Sequence, residues 1–196
     1  TAPNFCMLLR KHIGSGRIVS VSQPGLERCI HFEIEHLDEM GDLCRKLLIV
    51  ELMGKYSNII FCDENERIID SIKRVPSQMS SVREVLPGRD YFLPQTQEKY
   101  DPLTIAEKDF RNVVCKKPCN IAKAIYTTLT GISPLIAEEI CYRASIDGND
   151  AAQSLDENAS VHLYHTFKRL IEQVQEGNFS PNIIYHGEEP VEYAVV

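Results

Sequence analysis

Hydrophobic and polar residues alternate with a period of two in several stretches of the first 75 residues, which is typical of strands with one buried face. The clearest alternation lies at residues 27–37. Its predicted dry side holds Ile30, Phe32 and Ile34, and its predicted wet side holds Cys29, His31, Glu33 and Glu35. Further predicted strands lie at residues 17–23, 46–53, 57–63 and 67–75. Short strands separated by turn residues predict an antiparallel sheet folded as a sandwich or partial barrel.

The apolar spacing changes to a helical period after residue 100. Predicted helices lie at residues 101–116, 120–131, 133–145 and 160–177, in addition to an N-terminal helix at residues 4–13. Asp101 and Ser133 each precede a proline, as a capping residue often does at the start of a helix. Residues 182–196 return to β character. The pattern therefore predicts an α+β chain with the sheet first and most of the helices second.

A long segment without a regular pattern connects these two parts. Residues 75–97 contain Pro76, Pro87, Gly88 and Pro94, which exclude a regular element. Loops of this length are uncommon in compact domains. We therefore expect the segment to carry a function or to wrap a surface.

The composition is that of an ordinary globular protein, since 43% of the 196 residues are hydrophobic and 25% are charged. The longest apolar runs are far shorter than the ~20 residues that span a bilayer. The N-terminus has no recognisable secretion signal, and seven scattered cysteines favour free thiols in a reducing cytoplasm. The sequence begins with Thr1 rather than an initiator Met, so we interpret it as a fragment of a longer protein.

The net charge of −7 is distributed unevenly along the chain. Residues 1–100 carry 13 Lys and Arg against 14 Asp and Glu, whereas residues 101–196 carry 8 against 14. An acidic chain argues against a general nucleic-acid binder, which usually has a basic domain. A local basic face in the first part remains compatible with these numbers.

No residue pattern predicts a catalytic site, a metal site or a cofactor site. His162 and His165 lie three residues apart on a predicted helix, but a third ligand is missing, so we interpret them as packing or solvent-facing side chains. Cys115 and Cys119 form the only close cysteine pair, and two further zinc ligands at suitable spacing are missing. The signatures of hydrolases, phosphate-binding loops and dinucleotide-binding folds are also missing.

Basic and polar residues gather at the turns and strand ends of the predicted sheet. They are Arg28, Lys55, Ser57, Asn58, Lys73, Arg74, Arg83 and Arg89. Gly54 is expected at a positive φ, which glycine adopts most readily. Each of these side chains alone is most often simply solvated, but at strand ends they can converge at one end of the sheet. Ser57 and Asn58 can bond within the turn or contact a phosphate and a 2′-hydroxyl.

Residues 129–140 predict two helices joined by a tight turn. The turn consists of Gly131, Ile132 and Ser133. The arrangement resembles the helix-hairpin-helix motif, whose turn amides and helix N-terminus bind a backbone phosphate. That motif prefers a second glycine where this chain has Ser133. A plain pair of packed helices is the alternative, and the acids Glu138 and Glu139 favour it.

Four segments together resemble the NFACT family, whose members include fibronectin-binding protein A and a bacterial ribosome quality control factor. They are NFCMLLRKHIGSGRI at residues 4–18, ELMGKYSNII at 51–60, IIDSIKRV at 68–75 and REVLPGRDYFLPQ at 83–95. The match runs in register over residues 3–97. The helical part follows in the family's order with weaker motifs.

The resemblance implies a domain organisation. Residues 1–112 are expected to form an antiparallel β-sandwich similar to the N-terminal domain of formamidopyrimidine-DNA glycosylases, without its first strands. Residues 113–178 are expected to form a helix-hairpin-helix domain. Residues 179–196 are expected to form a β-hairpin leading toward the coiled coil that longer members carry.

The resemblance also implies a function. Family members bind large ribosomal subunits obstructed by peptidyl-tRNA and recruit tRNA, which is alanyl-tRNA in bacteria. The ribosome's own peptidyl transferase centre then adds a C-terminal tail to the stalled chain, so we expect a cytoplasmic binding module and not an enzyme. A surface adhesin that binds fibronectin is the alternative. Glycosylase activity is not expected, because Pro3 is internal and no four-cysteine cluster exists.

The family's tRNA contacts carry over to particular positions. An Asp-Arg pair of the family aligns with Glu27 and Arg28, so that the arginine is kept and the acid is one methylene longer. The expected tRNA-binding residues are Glu27, Arg28, Lys55, Ser57, Asn58, Lys73 and Arg74, with Gly131, Ile132 and Ser133 as a phosphate-binding turn. A second functional acid of the family lies before Thr1.

Overall fold

A computed structural model describes residues 3–80, 82–93 and 98–196 of the chain. The chain divides into two units, Thr1–Glu98 and Lys99–Val196. Among the described residues, the first unit holds one α-helix and a five-stranded sheet, and the second holds four α-helices and a β-hairpin. The class of mixed helix and antiparallel sheet is thereby confirmed. The domain boundaries at residues 112 and 178 remain predictions.

The sheet of the first unit is an antiparallel meander in which each strand pairs with the next one along the chain. Its strands are β1 (Arg17–Ser22), β2 (Cys29–Leu37), β3 (Leu43–Glu51), β4 (Asn58–Asp63) and β5 (Ile68–Ser71). β5 ends before the predicted residue 75, because the N–H of Lys73 donates to the side chain of Asn58 and not to a neighbouring strand. The described strands of this unit form one sheet, and a second layer facing it, as in a sandwich, stays a prediction.

A buried hydrophobic cluster of this unit lies on the sheet face that the alternation predicted to be exposed to solvent. Its members are Cys29, Ile49, Ile60, Cys62, Ile68, Val85 and Tyr91. Val75 and Val85 exchange two backbone hydrogen bonds of 2.9 and 2.8 Å, which fold the segment after β5 back on itself. Val85 and Tyr91 then cover Cys29 and its neighbours. The prediction that the Cys29 side is wet was wrong, because alternation along one strand cannot show what a later segment covers.

The described parts of the 75–97 segment agree with the expectation that it wraps a surface. Arg67 and Asp90 form an isolated antiparallel bridge, and the N–H of Ile68 donates to the carbonyl oxygen of Arg89 at 2.7 Å. These bonds hold the segment along β5. Ser81 and residues 94–97, which include Pro94, lie outside the described residues.

Helix α1 (Asn4–Ile13) has the predicted bounds. It covers part of the opposite sheet face. The ring of His12 lies 5.9 Å from that of Phe61, which is fully buried. The chain then passes close to β2 at Gly16, where a Cβ atom would lie 2.6 Å from Cγ2 of Ile34. A residue without a side chain is therefore required at this approach.

The first helix of the second unit is shorter than the predicted helix at residues 101–116 and begins at Glu107. The helices of this unit are α2 (Glu107–Val113), α3 (Ile121–Thr128), α4 (Pro134–Arg143) and α5 (Glu157–Gln175). Asp101 closes a turn instead of capping a helix, since its Oδ1 accepts from the N–H of Leu103 at 2.9 Å. α5 is capped by Asp156, which accepts from Ala159 at 2.7 Å. The rings of Phe110 and Phe167 stack at 5.0 Å and join α2 to α5.

A two-stranded hairpin of β6 (Asn182–His186) and β7 (Glu189–Ala194) ends the second unit. Ile183 pairs with Tyr193, and both side chains are more than half exposed. A hairpin of two strands is marginally stable alone. In the described part of the chain, no helix combines the length and apolar character needed to cross a membrane.

The turn between β3 and β4 gives a first testable prediction. Gly54 opens a short 3-10 turn (Gly54–Tyr56) at φ +57°, and nothing lies within 4 Å of a Cβ built there. The expected positive φ is thus confirmed. Gly54→Ala should lower the free energy of unfolding by about 1 kcal/mol through backbone strain alone. Chemical denaturation measures this, and Gly54→Asn should lose less, because Asn tolerates this conformation. Equal loss in both variants would contradict strain as the cause.

Candidate nucleic-acid interface

Three separate segments of the chain meet at one end of the sheet, where β2 begins and β3 ends. The N–H of Leu52 donates to the carbonyl oxygen of Arg28 at 2.8 Å, which joins the start of β2 to the β3–β4 turn. Nζ of Lys73 donates to the carbonyl oxygen of Lys55 at 3.3 Å, which joins that turn to the residues after β5. We call Arg28, Lys55, Tyr56 and Lys73 the basic rim.

The tip of the β3–β4 turn presents a cation and an aromatic ring together. Nζ of Lys55 lies 4.9 Å from the centroid of the Tyr56 ring. Tyr56 is 69% exposed. An exposed ring with an adjacent ammonium group can stack on an unpaired base and contact a phosphate at the same time.

Glu27 and Arg28 lie at the turn that leads into β2. The N–H of Glu27 donates to the carbonyl oxygen of Pro24 at 3.0 Å, and its carbonyl oxygen accepts from Nε2 of Gln23 at 2.7 Å. Both bonds involve the backbone of Glu27 and leave its side chain out. Within the described residues, no group forms an ion pair or a hydrogen bond with the exposed guanidinium of Arg28 or with the carboxylate of Glu27.

Ser57 and Asn58 bond within the fold. Oγ of Ser57 accepts from the N–H of Met53 at 2.9 Å. Oδ1 of buried Asn58 accepts from the N–H groups of Ile59 and Lys73, both at 3.0 Å, and its Nδ2 donates to the carbonyl oxygen of Lys73 at 2.9 Å. Of the two interpretations left open by the sequence, the structure favours the bonds within the turn.

Arg74 is already neutralised by a neighbour. Its Nε and Nη2 donate to the two carboxylate oxygens of Asp70, both at 3.0 Å. This bidentate contact lowers the pKa of Asp70 and raises that of Arg74. Arg74 therefore adds less to the positive charge of this end of the sheet than Lys73, whose ammonium group bonds to an uncharged carbonyl oxygen.

A buried ionic network lies directly beneath the basic rim. Nη2 of Arg83 lies 2.5 Å from both carboxylate oxygens of Glu51, and the two side chains are only 8% and 1% exposed. Tyr91 donates its hydroxyl to Glu51 at 3.0 Å, and Nη1 of Arg83 donates to the carbonyl oxygen of Phe92 at 2.6 Å. Burial raises the pKa of the Tyr91 hydroxyl, which therefore stays a donor.

Sequence reasoning missed this network. The sequence pattern places Arg83 among the basic residues at turns and Glu51 in a β-strand, but it does not indicate that the two pair with each other. The one available signal is an acid within the otherwise apolar run LLIVEL, since a carboxylate on a buried strand needs a cationic partner. Arg89, the other loop base, pairs with Glu84 at 2.8 Å and stays exposed.

The turn between α3 and α4 has the backbone geometry of a capped helix start. Gly131 has φ +74°, and Oγ of Ser133 accepts from the N–H of Ile136 at 3.2 Å, as its predicted capping role requires. Among the described residues, no acceptor faces the N–H groups of Gly131, Ile132 or Ser133. Glu139 is paired with Arg143 at 2.6 Å and so does not oppose an anion at full charge.

The described residues contain no group of three side chains that could hold a metal ion. His165 lies 3.9 Å from Glu107 on α2. Cys115 is buried, and burial raises the pKa of its thiol.

Asn58 provides a test of its structural role. Asn58→Asp replaces a donor that faces the carbonyl oxygen of Lys73 by a carboxylate oxygen, and it should lower the free energy of unfolding by about 2 kcal/mol. Thermal unfolding at neutral pH measures the change. Asn65→Asp, the same substitution in an exposed turn, is the control and should have little effect. If both variants are as stable as the wild type, Asn58 does not hold this end of the sheet together.

Comparison with known proteins places the chain in a family. The family model described as "NFACT N-terminal and middle domains" matches residues 1–196. The Rqc2 homolog RqcH of Bacillus subtilis is 40% identical over 182 residues, which are 92% of this chain and 30% of that protein. An archaeal Rqc2 homolog, aRqcH of Methanocaldococcus jannaschii, is 28% identical over 191 residues, which are 95% of this chain and 26% of that protein.

Solved structures show the same fold. The fibrinogen binding protein from Staphylococcus aureus superposes with a TM-score of 0.79 at 29% identity, over all of this chain and 67% of that one. The N-terminal part of the fibronectin/fibrinogen-binding protein from Streptococcus suis superposes with a TM-score of 0.74 at 26% identity, over all of this chain and 64% of that one. The chain spans less than a third of the length of its curated relatives. By its match over residues 1–196, the chain belongs to the NFACT family, the family of the RqcH proteins.

Proposed function

We propose that this chain is the tRNA- and large-ribosomal-subunit-binding part of a cytoplasmic ribosome quality control factor, which recruits alanyl-tRNA for C-terminal tailing of stalled nascent chains. The observation that carries the proposal is the basic rim, where the exposed ring of Tyr56 lies beside Nζ of Lys55 and the segments that carry Arg28 and Lys73 are bonded to the same turn. Membership of the RqcH family supports it. In this function the chain positions tRNA, and the ribosome forms the peptide bonds.

The rim has the groups that RNA recognition uses. The guanidinium of Arg28 can donate to two oxygens of one phosphate, whereas the ammonium groups of Lys55 and Lys73 act as point charges along the backbone. Tyr56 provides a stacking surface for an unpaired base, which is the usual target of sequence-tolerant RNA contacts. The acidic net charge of the chain does not prevent such local binding, because salt screens charges more than about 8–10 Å apart.

Glu27 adds an acceptor beside Arg28. A carboxylate at this place can accept from a base amino group or a 2′-hydroxyl, which phosphate-binding cations cannot do. Ser57 and Asn58 contribute in a different way from the one expected. They hold the turn in which Lys55 and Tyr56 lie.

The α3–α4 turn supports a second phosphate contact. The N–H groups of Gly131, Ile132 and Ser133 form no hydrogen bond within the described residues, and they lie next to the N-terminus of α4, where partial positive charge favours an anion. We infer a helix-hairpin-helix function for the second unit on this ground. For the first unit we infer a sandwich of the formamidopyrimidine-DNA glycosylase type, in which further chain covers the second sheet face.

A second candidate function is binding of fibronectin or fibrinogen. The solved structures with the same fold are named for those ligands, which favours it. Binding of immobilised fibronectin by the purified wild-type protein, measured beside tRNA binding, distinguishes the two functions. Saturable fibronectin binding without tRNA binding would favour the adhesin.

Arg28→Ala tests the rim directly. We expect weaker tRNA binding and a plot of log affinity against log salt whose slope falls by about one unit, because one phosphate contact is lost. Fluorescence anisotropy with labelled tRNA at several salt concentrations measures both. The control is Arg67→Ala, which makes the same change in charge at the opposite end of the sheet, where the exposed Arg67 side chain forms a 3.8 Å pair with Asp90. If the two variants bind tRNA equally, the rim is not the site.

Ser133→Asp tests the helix turn without removing its cap. Aspartate and asparagine both cap helices well, so stability should be kept in Ser133→Asp and Ser133→Asn. Only the aspartate adds a negative charge beside the free N–H groups, and tRNA affinity should fall several-fold, by roughly 1 kcal/mol, in that variant alone. The same anisotropy assay measures this. Equal affinity of the two variants would remove the turn from the interface.

A further inference from the structure

Glu51 and Arg83 form an ion pair that almost no solvent reaches, with side-chain exposures of 1% and 8%. Both carboxylate oxygens of Glu51 accept from Nη2 of Arg83, and one of them also accepts from Tyr91. Sγ of Cys29 lies 3.5 Å from the Tyr91 hydroxyl and extends the network to β2. The guanidinium of Arg83 also lies 5.3 Å from the centroid of the Tyr91 ring. Each side chain of this network therefore bonds to at least one other.

The network lies next to Arg28 along β2 and at the base of the turn that carries Lys55 and Tyr56. In the sheet, Glu51 pairs with Cys29 on one side and with Asn58 on the other. Cys29 follows Arg28, and Asn58 ends the turn that carries Lys55 and Tyr56. Leu52, which follows Glu51, bonds to the carbonyl oxygen of Arg28 at 2.8 Å. A shift of the Glu51 backbone is thus transmitted to both sides of the rim.

The cation comes from a different part of the chain. Arg83 and Tyr91 belong to the segment after β5, and Nη1 of Arg83 ties that segment together by its bond to Phe92. The guanidinium fork serves Glu51 and Phe92 at once, which a lysine ammonium cannot do in the same geometry. A simple stability role would be met by apolar residues of similar volume, which often replace buried ion pairs without loss.

We propose that Arg83 and Tyr91 are positioning residues, which hold Glu51 and through it set the spacing between Arg28 and the Lys55–Tyr56 turn for RNA. The proposal rests on the function proposed above, because it makes this network a determinant of tRNA affinity. It assigns neither residue a contact with RNA. The affected groups are the N–H of Leu52, bonded to Arg28, and the N–H of Met53, bonded to Ser57.

Arg83→Lys tests the proposal in the purified protein. The variant keeps the charge opposite Glu51 but loses the fork. We expect the amide hydrogens of Leu52 and Met53 to exchange about tenfold faster, measured by NMR, since their bonds depend on the position of Glu51. We expect tRNA affinity to fall about tenfold with an unchanged salt slope, because no phosphate contact is removed. Tyr91→Phe, which deletes only the hydroxyl bonded to Glu51, should shift both readouts in the same direction and serves if Arg83→Lys fails to fold.

Arg89→Lys is the matched control, because it makes the same substitution in the same segment at an exposed pair with Glu84. Exchange at Leu52 and Met53 in Arg83→Lys equal to that in Arg89→Lys would overturn the positioning role. Faster exchange with unchanged tRNA affinity would also overturn it, provided that Arg28→Ala weakens binding. If Arg28→Ala leaves tRNA binding intact, the proposed function fails, and the exchange rates alone then decide whether Arg83 positions the turn.

Discussion

The first unit depends on a carboxylate placed at the end of a buried strand. Glu51 closes β3 on the sheet face that holds Cys29, Ile49 and Ile60, and it is as buried as these isoleucines. A buried charge without a partner is strongly destabilising, so this strand end is compatible with folding only when Arg83 and Tyr91 are in place. The segment after β5 therefore belongs to the core of this unit, since Arg83, Val85 and Tyr91 are buried against the sheet.

The polar residues at this end of the sheet divide into two groups by what they bond to. Ser57, Asn58 and Arg74 use their hydrogen-bonding groups on the backbone or on Asp70. Arg28, Lys55 and Tyr56 keep theirs directed to solvent. This division explains how an acidic chain can have a small cationic surface. Arg74 is neutralised by Asp70, whereas Arg28 and Lys55 remain exposed at the same end of the sheet.

Membership of the NFACT family shows relationship, whereas the contacts at the end of the sheet show which groups can bind a ligand. The match shows which proteins this chain is related to, over less than a third of their length. The names of the solved structures refer to fibrinogen and fibronectin, whereas the curated relatives are named as Rqc2 homologs. The proposed RNA binding depends on the exposed Tyr56 ring, whose centroid lies 4.9 Å from Nζ of Lys55.

The sequence by itself determined the local elements. Alternation located β2 to β4, glycine at 54 indicated a positive φ, and Ser133 before Pro134 indicated the start of α4, because each of these depends on neighbouring residues. It also indicated the family, since short motifs are local as well.

Only the tertiary structure decided that the Cys29 face of the sheet is buried and which basic side chains are paired with acids. Cys29 lies in the core because a segment 46 to 62 residues further along covers it, and Arg83 is buried because Glu51 lies beneath that segment. Contacts between residues so far apart leave no periodic trace in the chain. The partners of Asn58 and Arg74 were likewise not visible in the sequence pattern: Asn58 bonds to the backbone of Lys73, 15 residues further along, and Arg74 pairs with Asp70 across the end of β5.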